Sequence, residues 1–264
     1  MAAETTITLT TDFGVRDPYV AEMKGVILSI DIHAILVDVT HEIPKFDVRA
    51  AAFTLASAAP YFPAGAIHLA VVDPEVGTQR RAIVVQTQKA TFVGPDNGVL
   101  MLASQNQGIK MMRQLTNPKF MLPKISGTFH GRDIFAPAAA YLDVGFKPAD
   151  FGPEIKDAVT PEFAQVRQHD GSLFGEVLHV DGFGNVVTNI LAKDSAFEEG
   201  KPVQVEFAGT VLKIAFVKTY AAAKPKEPVL LVGSHGFIEV ALNQGGAAEK
   251  FGLRAGDKIK VGRD

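Results

Sequence analysis

The stretch AIHLAVVDPEVGTQRRAIVVQT, residues 66–87, sets two apolar, β-branched runs around a polar knot. A short continuous apolar block bounded by turn residues is how a strand covered on both faces reads in sequence. Between the two runs stand Asp73, Glu75, Arg80 and Arg81 with one proline and one glycine. Such a knot is either a charged surface turn or a carboxylate and a guanidinium held together for chemistry.

Upstream, the same alternation of strand and helix continues. TITLT (6–10) and AILVDVT (34–40) read as strands, and DPYVAEMKGVILSI (17–30) and DVRAAAFTLASAAPYF (47–62) as helices, the second disturbed at Pro60. With strands ending at Asp73 and running from Arg80, and a further helix through DIFAPAAAYLDVG (133–145), this is the pattern of an α/β domain. From about Lys147 to Asp170 the text loses periodicity and holds three prolines, a linker signal. Short strands separated by turn residues follow: LFGEVLHVD, NVVTNIL, VQVEFAG, TVLKIAFVKTY, PVLLVGS and FIEVAL. The expected architecture is an α/β N-terminal domain with a mostly parallel sheet over 1–152, a linker over 153–171, and a C-terminal antiparallel β-barrel-like domain over 172–264.

Composition bounds the function. The 264 residues are 47% hydrophobic and 21% charged with a net charge of -3, so binding nucleic acid or a membrane surface through bulk charge is not expected. Without cysteine there are no disulfides, thiolate metal sites or thiol catalysis. MAAETTITLTTDF has no charged start followed by an apolar block, and no apolar run reaches the ~20 residues of a membrane span, so a cytoplasmic protein is expected.

Three apolar strands end in carboxylates, at Asp12, Asp38 (with His41 just beyond) and Asp73. Ligands of open parallel sheets bind at the carboxyl ends of strands, so these three are expected to share one rim, although each alone could simply cap a turn. Asp12-Phe13-Gly14 matches a kinase motif by accident, since no other kinase element is present, and Asp17 reads as a helix cap. In GTFHGRDIFAP (127–137), His130 alone reads as a partly buried histidine bonded to backbone, but Gly131 beside it permits close approach of a ligand, and a histidine there can handle a proton near neutral pH. A metal competes for such residues, but no His-Glu-x-x-His or His-x-His pair appears and no metal site is expected. DGFGNVVTNI (181–190) begins as a hairpin turn, which alone would explain its glycines, but it also presents Phe183 beside Asn185, a ring and an amide suited to a flat purine; GSHGFIEVALN (233–243) similarly sets Ser234 and Glu239 in apolar strand text.

Taken in order, TLTTDFGVRDPYVAEMKGVI, HEIPKFDV, VVDPEVGTQRRAI, GPDNG, TFHGRDIFAP, DGFGNVVTN and GSHGFIEVALN resemble, from end to end, the S-adenosyl-L-methionine hydroxide adenosyltransferase family, relatives of the bacterial fluorinating and chlorinating enzymes. The resemblance implies hydrolysis of S-adenosyl-L-methionine to adenosine and L-methionine without a further cofactor, by a homotrimer with active sites between neighbouring subunits. It implies that Asp12 binds the ribose hydroxyls, that Phe46 packs on the ligand, and that Phe129, Phe183 and Asn185 hold the adenine end. Ser234, Glu239 and the backbone of Ala241 would meet the methionine or nearby groups, and Asp73, Arg80 and His130 would handle the water. His130-Gly131 stands where the fluorinating relatives carry Tyr-Ser, whose hydroxyl helps hold the halide, so water is the expected nucleophile. His235 stands where the halogenating relatives carry an arginine near the methionine carboxylate. Two other classes fit part of the pattern: a nucleoside-binding protein without turnover, which would not need Asp73, Arg80 and His130, and a metal-dependent hydrolase.

Overall fold

The computed structural model describes residues 5–262. The leading MAAE and the expected domain ends at 1 and 264 lie outside the described residues. Two compact units divide the chain, the first ending at Thr160 and the second beginning at Pro161.

In the first unit the order is Thr6–Thr11 (β1), Tyr19–Ile30 (α1), Ile35–Thr40 (β2), Val48–Ala58 (α2), Ile67–Val71 (β3), Ala82–Thr87 (β4), Thr91–Pro95 (β5), Met101–Asn106 (α3), Ile109–Gln114 (β6) and Ala136–Asp143 (α4). The six strands lie in the order β2-β1-β3-β5-β4-β6. β2, β1, β3 and β5 run parallel, while β4 is antiparallel to both β5 and β6. The sheet is thus mostly parallel, with more strands than the sequence pattern suggests. β5 follows β4 through Gln88-Lys89-Ala90, a tight hairpin without the Asn-Gly or Asp-Gly signal, closed by the Ala90 carbonyl accepting from Thr87. β6 is an edge strand interrupted by Lys110 and Arg113.

Both sheet faces are covered. Ile7 and Leu9 of β1 pack with Met23 and Ile27 of α1 and Ala136, Ala139 and Ala140 of α4. The alternate residues Thr8 and Thr10 are also fully buried, on the face served by α2 and α3. α1 forms because Val20, Met23 and Ile27 recur on one side, and α2 because the Asp47 carboxylate caps its first turn by accepting from Ala50 N–H at 2.9 Å. α1 opens at Tyr19 with Pro18 in the cap position, so Asp17 stands one residue outside the helix and does not occupy the cap position expected for it. The chain leaves β1 for β2 on one side and returns past β1 to β3 on the other. The strand order therefore reverses between β1 and β3, the place where an open α/β sheet has its crevice.

The second unit contains Arg167–His169 (β7), Ser172–Val180 (β8), Val186–Leu191 (β9), Pro202–Phe207 (β10), Thr210–Ala215 (β11), Pro228–Val232 (β12), Phe237–Leu242 (β13), Ala247–Phe251 (α5) and Lys258–Gly262 (β14). Every named strand pair is antiparallel, along the path β11-β10-β14-β8-β9-β13-β12, with β7 beside β8. Phe216 just after β11 pairs with Leu230 of β12, which brings the two ends of the path together in a nearly closed barrel around Val177, Ile190, Val205, Ile238 and Val261. β7 and β14 carry alternating charged residues, Arg167, Lys258 and Lys260, and have no apolar run to mark them.

One buried polar residue of the first unit has a measurable consequence. His68 of β3 is 1% exposed, takes Thr8 Oγ1 at 2.8 Å from Nδ1, and lies against the rings of Phe62 and Phe92. Burial lowers its pKa from 6.5 to about 4. The unfolded chain therefore binds this proton at a higher pH than the folded one, and the stability that depends on a neutral ring falls as pH drops from 6.5 towards 4. The expected loss by pH 4.5 is about 2–3 kcal/mol. In denaturant titrations at pH 7 and pH 4.5, His68→Gln, which keeps a hydrogen-bonding side chain and cannot titrate, is expected to lose correspondingly less stability than the unaltered chain.

Candidate active site

At the carboxyl ends of β1 and β3 lies a cavity of about 330 Å³. It is lined by Asp12, Phe13, Asp17, Tyr19, Lys45, Phe46, Val71, Asp73, Val76, Thr128, Phe129, His130 and Gly131. The parallel register Thr11↔Val71 carries both strands to the same level, so Asp12 and Asp73 emerge side by side at the reversal of strand order. Asp38 does not join them. β2 lies on the far side of β1, where Asp38 is paired with Leu9, inside the strand, and bonds Lys24 Nζ at 2.6 Å with His41 Nε2 at 3.0 Å. The rim expected from three strand-end carboxylates therefore holds two.

Beyond β3, the chain turns through residues 73–80 and brings Arg80 back onto Asp73. Arg80 Nε is 3.0 Å from both carboxylate oxygens and one terminal nitrogen bonds Asp73 Oδ2. The same terminal nitrogen lies 2.9 Å from Nδ1 of His130, fifty residues away, and the other donates to the Arg81 carbonyl at 3.2 Å. Both charged side chains are nearly dry, 4% exposed for Arg80 and 5% for Asp73, and Arg80 also stacks 5.1 Å over the ring of Phe135. The turn requires Gly77, whose φ is +79°. A Cβ there would also overlap the Gly127 carbonyl, so this glycine lets the two loops that carry the trio touch.

His130 sits at the start of a π-helical turn, Gly131–Phe135, that leads into α4. The wider turn is held by Asp133, which is fully buried and accepts from Ser126 N–H at 2.7 Å and from Arg132 Nε at 2.6 Å. Gly131 is pressed against Phe129, Met23 and Val71, so packing as well as ligand approach calls for glycine. Burial lowers the pKa of His130, and the Arg80 charge lowers it further, against weaker opposing effects of Asp73 and Asp133.

On the other side of the cavity, Lys45 Nζ donates to the Asp12 carbonyl, and Phe46 N–H donates to Asp12 Oδ2 at 2.9 Å. Phe46 has φ +66°, a left-handed conformation that costs a non-glycine residue on the order of 1–3 kcal/mol, and leaves its ring 67% exposed. Phe13, Tyr19 and Phe129 form an aromatic group with centroids 5.2–5.7 Å apart, Phe129 meeting the other two edge-to-face. The sequence gives no sign that Tyr19, Asp17 or Lys45 lines a cavity, and Asp17 reads there as a helix cap, although all three lie inside the stretches that carry the family resemblance.

In the second unit, the β8–β9 turn is closed by Asp181, which accepts from Phe183 N–H, Asn185 N–H and the Asn185 side-chain amide, each at 2.9 Å. Asn185 is thereby buried and fixed, while Phe183 stands 84% exposed. On β13, Glu239 is 5% exposed and accepts from the Tyr220 hydroxyl at 2.8 Å. Burial raises the Glu239 pKa, with Asp181 adding to the rise and Tyr220 opposing it, and burial pushes Tyr220 up to about 12. Ser234 lies exposed in the tight turn between β12 and β13, and the Ala241 side chain is buried, so only its backbone can meet a ligand. Asp181 thus links the Phe183–Asn185 turn electrostatically to Glu239, which pairs with Val187 of β9, and to Tyr220, which the hydrogen bond to Glu239 brings in. Among the described residues, no group of three or more His, Cys, Asp or Glu could hold a metal ion.

The model of the SAM hydroxide adenosyltransferase N-terminal domain matches residues 7–152, and that of the C-terminal domain matches residues 175–260. The chain is 41% identical over 265 residues to a protein of Salinispora tropica named (R)-S-adenosyl-L-methionine hydrolase, covering 99% of both chains. It is 38% identical to a protein of the same name from Thermus thermophilus, over 95% of this chain and 96% of that one. The solved structure of an uncharacterized conserved protein from Thermotoga maritima superimposes with a TM-score of 0.84 at 35% identity, over 98% of this chain and all of the other. With both halves of the chain matched in order and the fold shared, the protein belongs to the SAM hydroxide adenosyltransferase family.

Proposed function

We propose that the protein hydrolyses S-adenosyl-L-methionine to adenosine and L-methionine, by attack of an oriented water on ribose C5′. The observation that carries this reading is the trio in which one nearly dry guanidinium bonds both the Asp73 carboxylate and His130 Nδ1, with Asp73 and His130 lining the cavity beside Phe13, Tyr19, Phe46 and Phe129. The substrate is a sulfonium cation and leaves as a neutral thioether, so no acid is needed on the leaving side. The demand falls on the nucleophile, since free water has a pKa of about 15.7.

A guanidinium only donates, so Nδ1 facing Arg80 must be the unprotonated nitrogen of a neutral ring, and the His130 proton sits on Nε2. His130 in this state donates to the water. Asp73 is then the member of the trio with lone pairs to receive a proton, and the fixed charge of Arg80 favours hydroxide character. General-base assistance is worth about 10²–10⁴-fold and in-line positioning more, which suits a trio so fully constrained. Asp12 would take the ribose hydroxyls, with Phe46 and Phe129 packing on the ligand. Phe183 and Asn185 would hold the adenine, and Ser234, Glu239 and the Ala241 backbone would contact the methionine or neighbouring groups. His130-Gly131 offers no hydroxyl for a halide, which supports water over fluoride.

A homotrimer belongs to the same proposal: Phe46 and Phe183, at 67% and 84% exposure, are large rings that a single chain leaves in water. A cytoplasmic location is proposed with it, and the cysteine-free composition supports it.

Incubation with S-adenosylmethionine in ¹⁸O-water is expected to give adenosine labelled at the 5′ oxygen and unlabelled methionine; unlabelled adenosine would sink the proposal. Arg80→Ala is expected to lower turnover well over tenfold while adenosine affinity stays within a few-fold. Because the His130 pKa is lowered, the ring stays neutral below 6.5 and activity falls only as pH drops through the lowered value. The acid limb of kcat/KM is therefore expected below 6.5, and in Arg80→Ala it should move upward. Analytical ultracentrifugation should give a mass near three times 28.2 kDa.

A further inference from the structure

The segment GPDNG, residues 94–98, touches no part of the cavity, yet it grips both ends of the loop that carries Asp73 and Arg80. At the entrance, Asn97 Nδ2 donates to the Val72 carbonyl at 2.9 Å, one residue before Asp73. At the exit, Asp96 N–H donates to the Arg81 carbonyl at 2.9 Å, the same oxygen that receives an Arg80 terminal nitrogen at 3.2 Å. The Asp96 carboxylate, 1% exposed, then fixes Arg81 itself through Nε at 2.7 Å, while its other oxygen accepts Val159 N–H at 2.8 Å. Arg81 is held from the far side by Asp157, at 2.8 Å to its carboxylate. Asn97 is likewise locked, since its Oδ1 accepts from Val99 N–H at 3.1 Å.

We propose that Asp96 and Asn97 are positioning residues for the water-handling trio: they clamp residues 72 and 81 so that Arg80 spans Asp73 and His130 in one orientation. The physical reason is geometric. Arg80 reaches His130 across a single 2.9 Å contact, and a guanidinium that swings by an ångström keeps its salt bridge to Asp73 but leaves Nδ1. The loop groups bonded by Asp96 and Asn97 are the Val72 and Arg81 carbonyls and the Arg81 side chain, so the clamp acts through Arg80 and not on the ligand. This inference rests on the hydrolase reading for its kinetic consequence, but not for its structural one.

Two shape-preserving variants test it. Asp96→Asn keeps an oxygen for Val159 N–H and removes the charge that holds Arg81. Asn97→Asp keeps the Val99 bond and replaces the donor to Val72 by a repelling carboxylate. In each, turnover on S-adenosylmethionine is expected to fall about tenfold or more with KM within about threefold, at a temperature where circular dichroism shows the variant fully folded. In the same variants the NMR titration midpoint of His130, assigned by its absence in His130→Gln, is expected to rise towards the ordinary histidine value as Arg80 recedes from Nδ1. A His130 midpoint that stays in place in both variants, or turnover within twofold of the unaltered protein, overturns the clamp. So does a loss of turnover that tracks a loss of thermal stability. Should the unaltered protein leave S-adenosylmethionine intact, the hydrolase reading fails, and the His130 titration alone still decides whether Asp96 and Asn97 position Arg80.

Discussion

The first unit is organised around a buried charge that must not be left alone. Arg80 and Asp73 have been taken out of water together, and an ion pair in that position is tolerable only when each remaining donor finds a partner. The guanidinium meets that demand with Asp73, the Arg81 carbonyl, His130 Nδ1 and the face of Phe135. Stripping one partner from such a pair costs about 3–5 kcal/mol, because the charge left behind has no water to turn to. That penalty makes the arrangement nearly single-valued, and the loop around it is built accordingly, with a left-handed glycine at residue 77 and a second ion pair one residue on, between Arg81 and Asp96.

Topology decides what surrounds this charge. A chain that places β1 between β2 and β3 must cross the sheet on opposite faces, and the crossing opens a crevice over the ends of β1 and β3 only. Asp12 and Asp73 fall there by register. Lys45 and Phe46 come from the loop entering α2, and His130 from the turn entering α4, so helix starts as well as strand ends converge on one cavity.

Much of this was legible in letters and some was not, for identifiable reasons. Apolar runs mark β1 to β4, and the knot at 73–81 leaves a charged turn and an acid–guanidinium pair both open in the letters, of which the fold realises the second. Asp38 misled because strand order is invisible in a linear text: a carboxylate late in an edge strand looks the same as one at a crevice. β5 and β6 are hidden for want of turn chemistry and apolar alternation, β7 because all its residues are exposed, and β14 because lysines separate Ile259 and Val261, the two residues it sends into the core. Glu239 stood out as a polar residue in apolar text, whereas its partner Tyr220 carries no mark in the sequence and becomes visible only through a 2.8 Å hydrogen bond. Phe46 was legible as an aromatic, but its left-handed backbone was not, since the carboxylate that receives its N–H lies 34 residues earlier.

The π-helical turn at Gly131–Phe135 bears on how the sequence can drift in length. Such a turn arises where a helix accommodates one residue more than its regular spacing, and each residue of an ordinary helix advances about 100° around the axis. Excising any one residue here would relax the segment into a regular helix and swing Asp133 and Phe135 away from the partners they now meet, with His130 anchored at the other end. Related chains can therefore be expected to accumulate indels in the outer hairpins of the barrel, while the span from 126 to 136 keeps its residue count even where its letters change.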